Sequence, residues 1–230
     1  MIEKLYVDNF KSLVNFEFEP GPVQLLLGRN GTGKSTFLEV LDILRSFLIE
    51  SDYPTYRSFP KTSLTRWDGR DVQTFELSVR LDGGLYVYRL EVEQYRDSKA
   101  AKVLVESLLL DGLPLFEFLA DEVQLYRDDH SKGPRYPGQA HRSGLATILS
   151  RHDNTKLTYF MTWIQKLCCV IIDDAIKSSG DSESTHPDAR LYNFVTWYQF
   201  LSLERPDAVQ ELIEVLRAGA IAEFRSLQFV

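Results

Sequence analysis

The sequence contains very little cysteine. Its two cysteines among 230 residues are neighbours, Cys168 and Cys169, so no framework of disulfide bonds can be built. Small secreted proteins commonly depend on such a framework, whereas proteins in a reducing cytosol do not. The cysteine content therefore predicts a cytoplasmic protein.

Long apolar runs and an excess of basic residues are also missing. No stretch approaches the roughly 20 apolar residues of a membrane-spanning helix, and charged Glu3 and Lys4 stand where a signal peptide would begin. The 26 lysines and arginines face 33 aspartates and glutamates, so the formal net charge is −7. This balance excludes a globally basic nucleic-acid-binding protein and leaves a local basic groove open. We expect a soluble protein without membrane contact.

Hydrophobic periodicity predicts β-strands in the first thirty residues and in the middle of the chain. Strands with one wet face alternate apolar and polar residues, whereas strands buried on both faces are continuous apolar runs. Residues 23–27 form such a continuous run and are predicted to be a central strand. Asp82-Gly83-Gly84 supplies the turn of a predicted hairpin. The predicted strands are residues 2–7, 14–18, 23–27, 75–81, 85–93, 103–110 and 122–126.

Other segments are predicted to be helices and loops. Residues 35–50 lack glycine and proline, and their apolar residues cover most of a helical circumference, so a largely buried helix is expected. Residues 51–70 and 128–138 are polar and are predicted to be loops. Further helices are predicted at residues 157–167, at residues 191–203 and from Pro206 onwards.

These changes of period divide the chain into three regions. Residues 1–50 are expected to form a strand-loop-helix core, and residues 51–127 a loop followed by an antiparallel β-lobe. Residues 128–230 are expected to be mostly helical. The predicted fold class is therefore α/β with an antiparallel β-meander.

The segment from Gly28 to Ser35 satisfies the pattern G-x-x-x-x-G-K-[ST] of a Walker A motif, or P-loop. It lies between a predicted strand and a predicted helix, which is the context that the motif requires. Glycines let the backbone turn its N–H groups towards phosphate oxygens, and the helix that follows adds the positive end of its dipole. A glycine-rich turn that binds nothing would need neither three glycines nor a lysine.

The individual positions of the motif predict a nucleotide with its metal ion. Lys34 is expected to reach the β and γ phosphates, and the Ser35 hydroxyl is expected to bind Mg²⁺. Thr36 is expected to support the α phosphate. The sequence therefore predicts ATP and Mg²⁺ as ligands. The predicted binding residues of the motif are Asn30, Gly31, Thr32, Gly33, Lys34, Ser35 and Thr36.

The start of the chain, with Asn9-Phe10-Lys11-Ser12 ahead of the P-loop, resembles the amino-terminal head of ABC-type ATPases of the SMC, RecF and OLD nuclease group. In that group an Asn-Phe-(Lys/Arg)-Ser element lies beside the P-loop and contacts the nucleotide. The resemblance implies that Lys11 and Ser12 belong to the site, with a solvated turn as the alternative. It also implies a P-loop NTPase fold with a RecF-like β-lobe.

A second set of residues narrows the resemblance. Thr65-Arg66-Trp67-Asp68 and Gln73-x-Phe75-Glu76-Leu77 are similar to segments of bacterial RecF/OLD-like AAA family ATPases, including ones of the phage-defence type. The alternative is an ordinary loop whose Trp67 side chain is buried in the hydrophobic core.

Parts of a complete ABC-type head have no clear counterpart. No signature of the LSxGQ type occurs, and Gln94, Gln124 and Gln139 are equal candidates for the Q-loop glutamine. The apolar run before Asp173 imitates a Walker B strand, which makes Asp173 a candidate Mg²⁺ ligand. However, Asp174 stands where the family has a catalytic glutamate, and an ordinary end of a strand is the alternative. No catalytic residue is predicted.

The resemblance implies the ATP-binding head of a RecF/OLD/SMC-like ATPase in DNA repair or phage defence. We expect the chain to be one lobe of a longer protein, with helices leading to a missing second lobe. The implied partners are a second head in a head-to-head homodimer, DNA, and a nuclease or other effector. ATP hydrolysis is expected of the longer protein. Two alternatives stay open, a non-hydrolysing module that uses the nucleotide for dimerisation or interaction, and a P-loop kinase.

Overall fold

The computed structural model of the protein describes residues 1–29, 31–49, 54–95, 100–167, 169 and 194–215. The chain divides into two compact units, Met1–Leu167 and Cys168–Val230. The first unit is built on one large sheet, and the second is described through two helices. No helix within the described ranges combines the length and the apolar character that crossing a lipid bilayer requires.

The sheet of the first unit has eight strands. They are β1 (Ile2–Asp8), β2 (Phe16–Phe18), β3 (Val72–Leu81), β4 (Gly84–Gln94), β5 (Ala101–Leu110), β6 (Leu113–Leu119), β7 (Glu122–Tyr126) and β8 (Lys132–Pro137). Their spatial order is β2-β1-β3-β4-β5-β6-β7-β8, and all neighbouring pairs are antiparallel. The predicted meander is therefore confirmed, although it contains a strand, β6, that was not predicted, and β1 joins it by pairing with β3.

Turn chemistry sets the register of the meander. The hairpin β3–β4 pairs Leu81 with Gly84, as the sequence predicts, and Gly84 has a φ of 128°. Between β5 and β6, Asp111 and Gly112 occupy the left-handed region, with φ of 49° and 80°. Both residue types tolerate this conformation better than branched residues do, so the strands can reverse within two residues.

Five helices complete the described structure. They are α1 (Lys34–Ile49), α2 (Thr55–Ser58), α3 (Thr155–Lys166), α4 (Phe194–Glu204) and α5 (Pro206–Val215). These bounds confirm the predicted helix after the P-loop and the predicted helix opened by Pro206, and they agree with the other two helical predictions to within a few residues, although residues 191–193 lie outside the described residues. The predicted loop at residues 51–70 is wrong in part, because it contains the short helix α2. In the second unit, Arg205 between α4 and α5 pairs with Asp207 at 3.0 Å.

Aromatic rings connect α1 to the sheet. Phe47 of α1 contacts Phe59 with 5.4 Å between ring centroids, and Phe59 contacts Phe75 of β3 at 5.1 Å. All three side chains are fully buried. Because burial of each large apolar side chain contributes about 1.5–3 kcal/mol, this contact chain fixes the helix against the sheet. The P-loop helix thus has a rigid base.

The predicted central strand at residues 23–27 is wrong. The segment carries no regular secondary structure, and Val23, Leu25 and Leu27 are 94%, 74% and 82% exposed. A strand that is buried on both faces needs hydrogen-bonded neighbours for its backbone N–H and C=O groups. Within the described residues, no strand pairs with this segment, so its apolar sequence alone does not make it a strand.

The predicted loop at residues 128–138 is also wrong in part, because it contains β8. This strand forms the edge of the sheet, where Pro137 lies opposite Glu122 and Tyr136 opposite Val123. Proline is tolerated on an edge strand, since one side of that strand needs no ladder hydrogen bond. The meander therefore extends to Pro137. The domain limits at residues 50 and 127 stay a prediction.

Candidate nucleotide-binding site

The P-loop leads from Gly28 directly into the first turn of α1 at Lys34. Gly31 and Gly33 have φ of 84° and 93°, a region that residues with a side chain enter at a cost. A Cβ on Gly33 would lie 3.1 Å from Leu13 Cδ2 and 3.3 Å from Ser12 Oγ. Gly33 is therefore required both by its backbone conformation and by the close approach of the neighbouring turn.

The ammonium group of Lys34 lies inside the curve of this loop. Its Nζ donates hydrogen bonds to the carbonyl oxygens of Gly28 at 2.7 Å and Arg29 at 2.8 Å. The Thr32 hydroxyl closes the same turn by donating to the Arg29 oxygen at 2.9 Å. The loop thus holds the Lys34 ammonium at the amino-terminal end of α1. Negative charge, such as that of a phosphate, is stabilised at this end of a helix.

These residues fit the phosphates of a nucleotide. Glycines leave open the space that a Cβ would fill, and the first turn of α1 has N–H groups without intrahelical acceptors. Ser35 is exposed in that turn, where its hydroxyl could ligate Mg²⁺, while Thr36 is half-buried. Among the described residues, no group of three acidic, histidine or cysteine side chains could hold a metal by itself. Asn30 and Asp173, two of the predicted site residues, lie outside the described residues.

The turn of Lys11 and Ser12 reaches the P-loop through Ser12. The Ser12 side chain faces the Cα of Gly33, as the predicted role requires. The Lys11 ammonium instead pairs with Glu39 on α1. Both residues stay predicted members of the site, but Lys11 must leave Glu39 or share it in order to contact a phosphate.

A buried polar network that sequence reasoning missed holds this turn in place. The Asn9 side chain donates to the carbonyl oxygens of Arg70 at 2.9 Å and Val72 at 3.0 Å, and accepts from the Thr65 N–H at 3.2 Å. Gln73 donates to the Asn9 carbonyl oxygen at 3.0 Å. Asn9 and Gln73 are fully buried, so these bonds are expensive to lose. In the sequence, the only sign of this network is that Asn9, Thr65 and Gln73 all lie in segments that carry the family resemblance.

A cluster of ion pairs attaches the segment before β3 to β1. Arg70 contacts Asp8 of β1 at 2.5 Å and Asp68 at 2.5 Å. The hydrogen bonds from Arg70 hold the pKa of the Asp8 carboxyl below its ordinary value. Trp67, which lies beside this cluster in sequence, is 73% exposed. The alternative in which Trp67 plugs the core is therefore wrong.

The described contacts of two Q-loop candidates are those of structural residues. Gln94 is buried and donates to the Phe59 carbonyl oxygen at 2.8 Å and to Gln73 Oε1 at 3.0 Å. Gln124 donates to the Leu125 carbonyl oxygen at 2.7 Å in the outer part of the sheet.

An apolar cavity of about 300 Å³ adjoins the P-loop. Sequence reasoning missed it because its walls come from two strand residues, a turn, the segment before the loop and α1. Its described lining residues are Leu13, Phe16, Phe18, Leu26, Leu27, Gly28, Thr32, Gly33, Lys34 and Phe37.

A glycine-rich loop with its lysine at the head of a helix defines a candidate nucleotide-binding site of the P-loop kind. Residues 1–107 match the AAA ATPase domain family. Over 61 aligned residues, the chain is 36% identical to an OLD nuclease of Thermus scotoductus. That alignment covers 23% of this chain and 12% of the nuclease. The amino-terminal region of the chain is thus similar to that of an AAA/OLD-like ATPase.

Proposed function

We propose that this chain is the ATP-binding head of an OLD/RecF-like ATPase that acts on DNA, in repair or in phage defence. The observation that carries the proposal is the Lys34 ammonium inside the P-loop, at 2.7 and 2.8 Å from two loop carbonyl oxygens. The match to the AAA ATPase domain supports nucleotide binding. The name of the related OLD nuclease supports a nucleic-acid substrate.

In this proposal, oxygens of the triphosphate replace the two loop carbonyl oxygens as hydrogen-bond acceptors of the Lys34 ammonium. A phosphate oxygen carries more negative charge than a peptide carbonyl, so the charge-assisted hydrogen bond is the stronger one. Ser35 would ligate the Mg²⁺ that accompanies the nucleotide and neutralises phosphate charge, and Ser12 would contact the nucleotide from the other side of Gly33. Two such heads form a head-to-head homodimer that works with a nuclease or other effector.

Calorimetric titration with ATP in the presence of Mg²⁺ tests the proposal. We expect Lys34→Ala to weaken binding about ten- to a hundredfold, because one charge-assisted contact contributes about 1.5–3 kcal/mol. The matched control is Lys166→Ala, which removes an exposed lysine in the last turn of α3. Equal affinities of the wild type and Lys34→Ala would refute the proposed site.

A steady-state ATPase assay separates the hydrolysing and the non-hydrolysing versions of this function. Phosphoryl transfer needs groups that position water and stabilise the transferred phosphoryl group, and the P-loop alone does not supply them. We expect turnover near background from these 230 residues and higher turnover from a longer protein with a signature and a Walker B strand. Robust turnover that Asp173→Ala abolishes would show that the catalytic site is complete in this chain.

A further inference from the structure

The turn at residues 65–68 belongs to a sequence motif whose exposed residues have no role in the proposed nucleotide site. Its Trp67 side chain is 73% exposed and takes part in no ring contact with another described residue. Arg66 beside it is exposed as well. An indole is among the largest apolar groups in proteins, and burying it would stabilise the fold. An indole that stays in water is thus a candidate contact for a partner.

Both ends of this turn are fixed. Thr65 is buried, and its N–H donates to Asn9 Oδ1 at 3.2 Å. The Asp68 N–H donates to the Thr65 carbonyl oxygen at 3.2 Å, and the Asp68 carboxylate pairs with Arg70. The Trp67 ring is thus presented by a backbone that is already ordered, so a partner that binds it meets a small entropic cost.

The chain around the turn is basic. Residues 54–67, which we call the basic segment, contain three basic residues and no acidic residue, in a chain whose net charge is −7. Arg57, Lys61 and Arg66 are all exposed. The side chains of Arg57 and Arg66 form no ion pair with another described residue. Because Tyr56 of α2 is 45% exposed, the basic segment combines positive charge with two exposed aromatic rings.

This combination is complementary to a polyanion that carries flat apolar groups. Exposed cations attract phosphates, and an aromatic ring stacks on a base whatever its identity. In a duplex each base is already stacked and paired, whereas the bases of a single strand are open to an added ring. An acidic peptide would pair with the arginines but would leave the indole exposed. The chemistry of the basic segment thus fits a single strand of nucleic acid.

We propose that the basic segment binds a single strand of DNA or RNA, with a base stacked on Trp67 and phosphates against Arg57 and Arg66. The proposal deepens the proposed function and rests on its nucleic-acid substrate, for which it names the contact surface. The two kinds of strand share this chemistry, and the test separates them.

Fluorescence anisotropy with labelled oligonucleotides tests the proposal on the full 230-residue chain. The probes are about 12 thymidines, about 12 uridines and a DNA duplex of the same length, which is within the range of one single-strand site. We expect at least one single strand to bind at least about fivefold more tightly than the duplex. The tighter of the two single strands identifies DNA or RNA as the ligand.

Three variants locate the contact. Trp67→Ala should weaken single-strand binding about five- to a hundredfold, whereas Trp67→Phe keeps a ring and should lose no more than about threefold. The single strand should also quench part of the tryptophan fluorescence of the wild type. This quenching should largely disappear in Trp67→Phe, although the oligonucleotide still binds. Arg66→Gln should reduce the slope of log affinity against log salt by about 0.7.

Two matched controls remove similar groups elsewhere in the first unit. Tyr159→Ala truncates an exposed ring of α3, and Arg135→Gln removes the same charge as Arg66→Gln from β8. Both controls should bind the single strand like the wild type.

Calorimetry with ATP and Mg²⁺ separates this proposal from the proposed function. We expect every one of these variants to bind ATP like the wild type, because none of the changed residues belongs to the P-loop. Single-strand binding without ATP binding would refute the nucleotide site while supporting the role of the basic segment. A parallel loss of ATP and oligonucleotide binding in Trp67→Ala would make Trp67 a structural residue and overturn the proposal.

The oligonucleotide titrations can overturn the proposal in other ways. Failure of both single strands to bind the wild type, or tighter binding of the duplex, would show that the basic segment does not take a single strand. Equal affinities of the wild type and Trp67→Ala, or equal losses in Trp67→Ala and Trp67→Phe, would show that no base stacks on this ring.

Discussion

Among the places in the described structure where backbone N–H groups gather at the start of a helical turn, two differ in what these groups meet. One is the P-loop at the head of α1. The other is the turn Leu145–Thr147, where the N–H groups of Gly144 and Leu145 donate to Oε2 of Glu106 at 2.7 and 3.4 Å. In the first, carbonyl oxygens of the loop hold the Lys34 ammonium and the N–H groups of the first helical turn have no intrahelical acceptor, whereas in the second the N–H groups hold a carboxyl group of the chain.

In the second place, the Glu106 carboxyl group and its hydrogen-bond donors form a buried cluster within the chain. Glu106 is fully buried, and its Oε1 accepts hydrogen bonds from the Ser143 hydroxyl at 2.6 Å and the Tyr88 hydroxyl at 3.0 Å. All the described hydrogen-bond donors of this cluster are therefore occupied by the Glu106 carboxyl group, which is part of the chain and cannot dissociate. The P-loop, by contrast, is exposed over most of its length, and its Lys34 holds only loop oxygens.

The comparison shows what separates an internal brace from a binding site. Donor groups that meet a buried carboxyl group of the same chain stabilise the fold, since breaking the contact would leave polar groups without partners away from water. Similar donors that remain exposed, beside a cation held by neutral carbonyls, favour an anion from solution. Backbone N–H groups at the start of a helical turn are thus structural in one place and, in the proposed function, bind a ligand in the other.

The largest effect that we predict comes from removing the buried carboxyl group of Glu106. Glu106→Leu would leave two hydroxyls and two N–H groups without their acceptor, and each buried unsatisfied group costs about 1–3 kcal/mol. We expect a loss of about 3–5 kcal/mol in the free energy of unfolding, measured by urea denaturation.

Glu106→Gln is the matched control for that measurement. The amide is nearly the same size, its oxygen can face the N–H groups, and the hydroxyls can rotate to accept from its NH₂ group. We expect it to cost no more than about 1.5 kcal/mol. If the leucine and glutamine variants unfolded at the same urea concentration, the cluster would not be the brace described above.

A second prediction breaks the P-loop instead. Gly33→Ala forces a side chain into a backbone conformation with φ of 93° and against Leu13 and Ser12. Such strain costs about 1–3 kcal/mol, so we expect ATP affinity to fall about tenfold or more in calorimetry. At Gly69, an added Cβ meets no atom within 4 Å, and Gly69→Ala should leave ATP affinity unchanged. Equal binding by both variants would contradict the role given to Gly33.

The third prediction concerns the pH dependence of the internal brace. Burial raises the pKa of Glu106 above its ordinary value of 4.5, so the folded state favours the protonated carboxyl. This contribution to stability is present below pH 4.5 and is lost as pH rises through the folded-state pKa.

Urea denaturation of the wild type and Glu106→Gln across this pH range measures the effect. The wild type should lose stability relative to Glu106→Gln as pH rises above 4.5, with a slope of at most about 1.4 kcal/mol per pH unit. A difference between the two proteins that stays constant with pH would show that the Glu106 carboxyl has the same pKa in the folded and unfolded states.

The smallest predicted effect concerns the ion pair beside the P-loop. The side chains of Lys11 and Glu39 are 41% and 38% exposed, and exposed pairs contribute about 0–1 kcal/mol to stability. A double-mutant cycle with Lys11→Ala and Glu39→Gln should therefore give a coupling energy below about 1 kcal/mol that decreases with salt. A coupling above 2 kcal/mol would make Lys11 a structural residue and argue against its predicted contact with the nucleotide.

Local patterns sufficed to predict much of this fold. The hairpin β3–β4 followed from alternating apolar residues around Asp82-Gly83-Gly84, and α1 from an uninterrupted helical period. The P-loop could be found because its chemistry demands particular residues at fixed spacing in one short segment. In each case the determining interactions lie within a few residues along the chain.

Contacts between distant segments decided the rest. Glu106 meets Ser143 and Gly144, which are 37 and 38 residues further along, and no local pattern marks one acidic residue of a strand as a buried brace. The apolar cavity likewise joins β2 to α1 and to the segment before the loop.

Two of the errors in the strand prediction, at residues 23–27 and at β8, have the same physical origin. Residues 23–27 have the apolar composition of a central strand, but no described strand pairs with them, while β8 contains two prolines and still pairs with β7. Composition determines which residues are able to form a strand. Only the tertiary structure decides whether a neighbour is there to satisfy the backbone hydrogen bonds, because those bonds join segments that are separate in sequence.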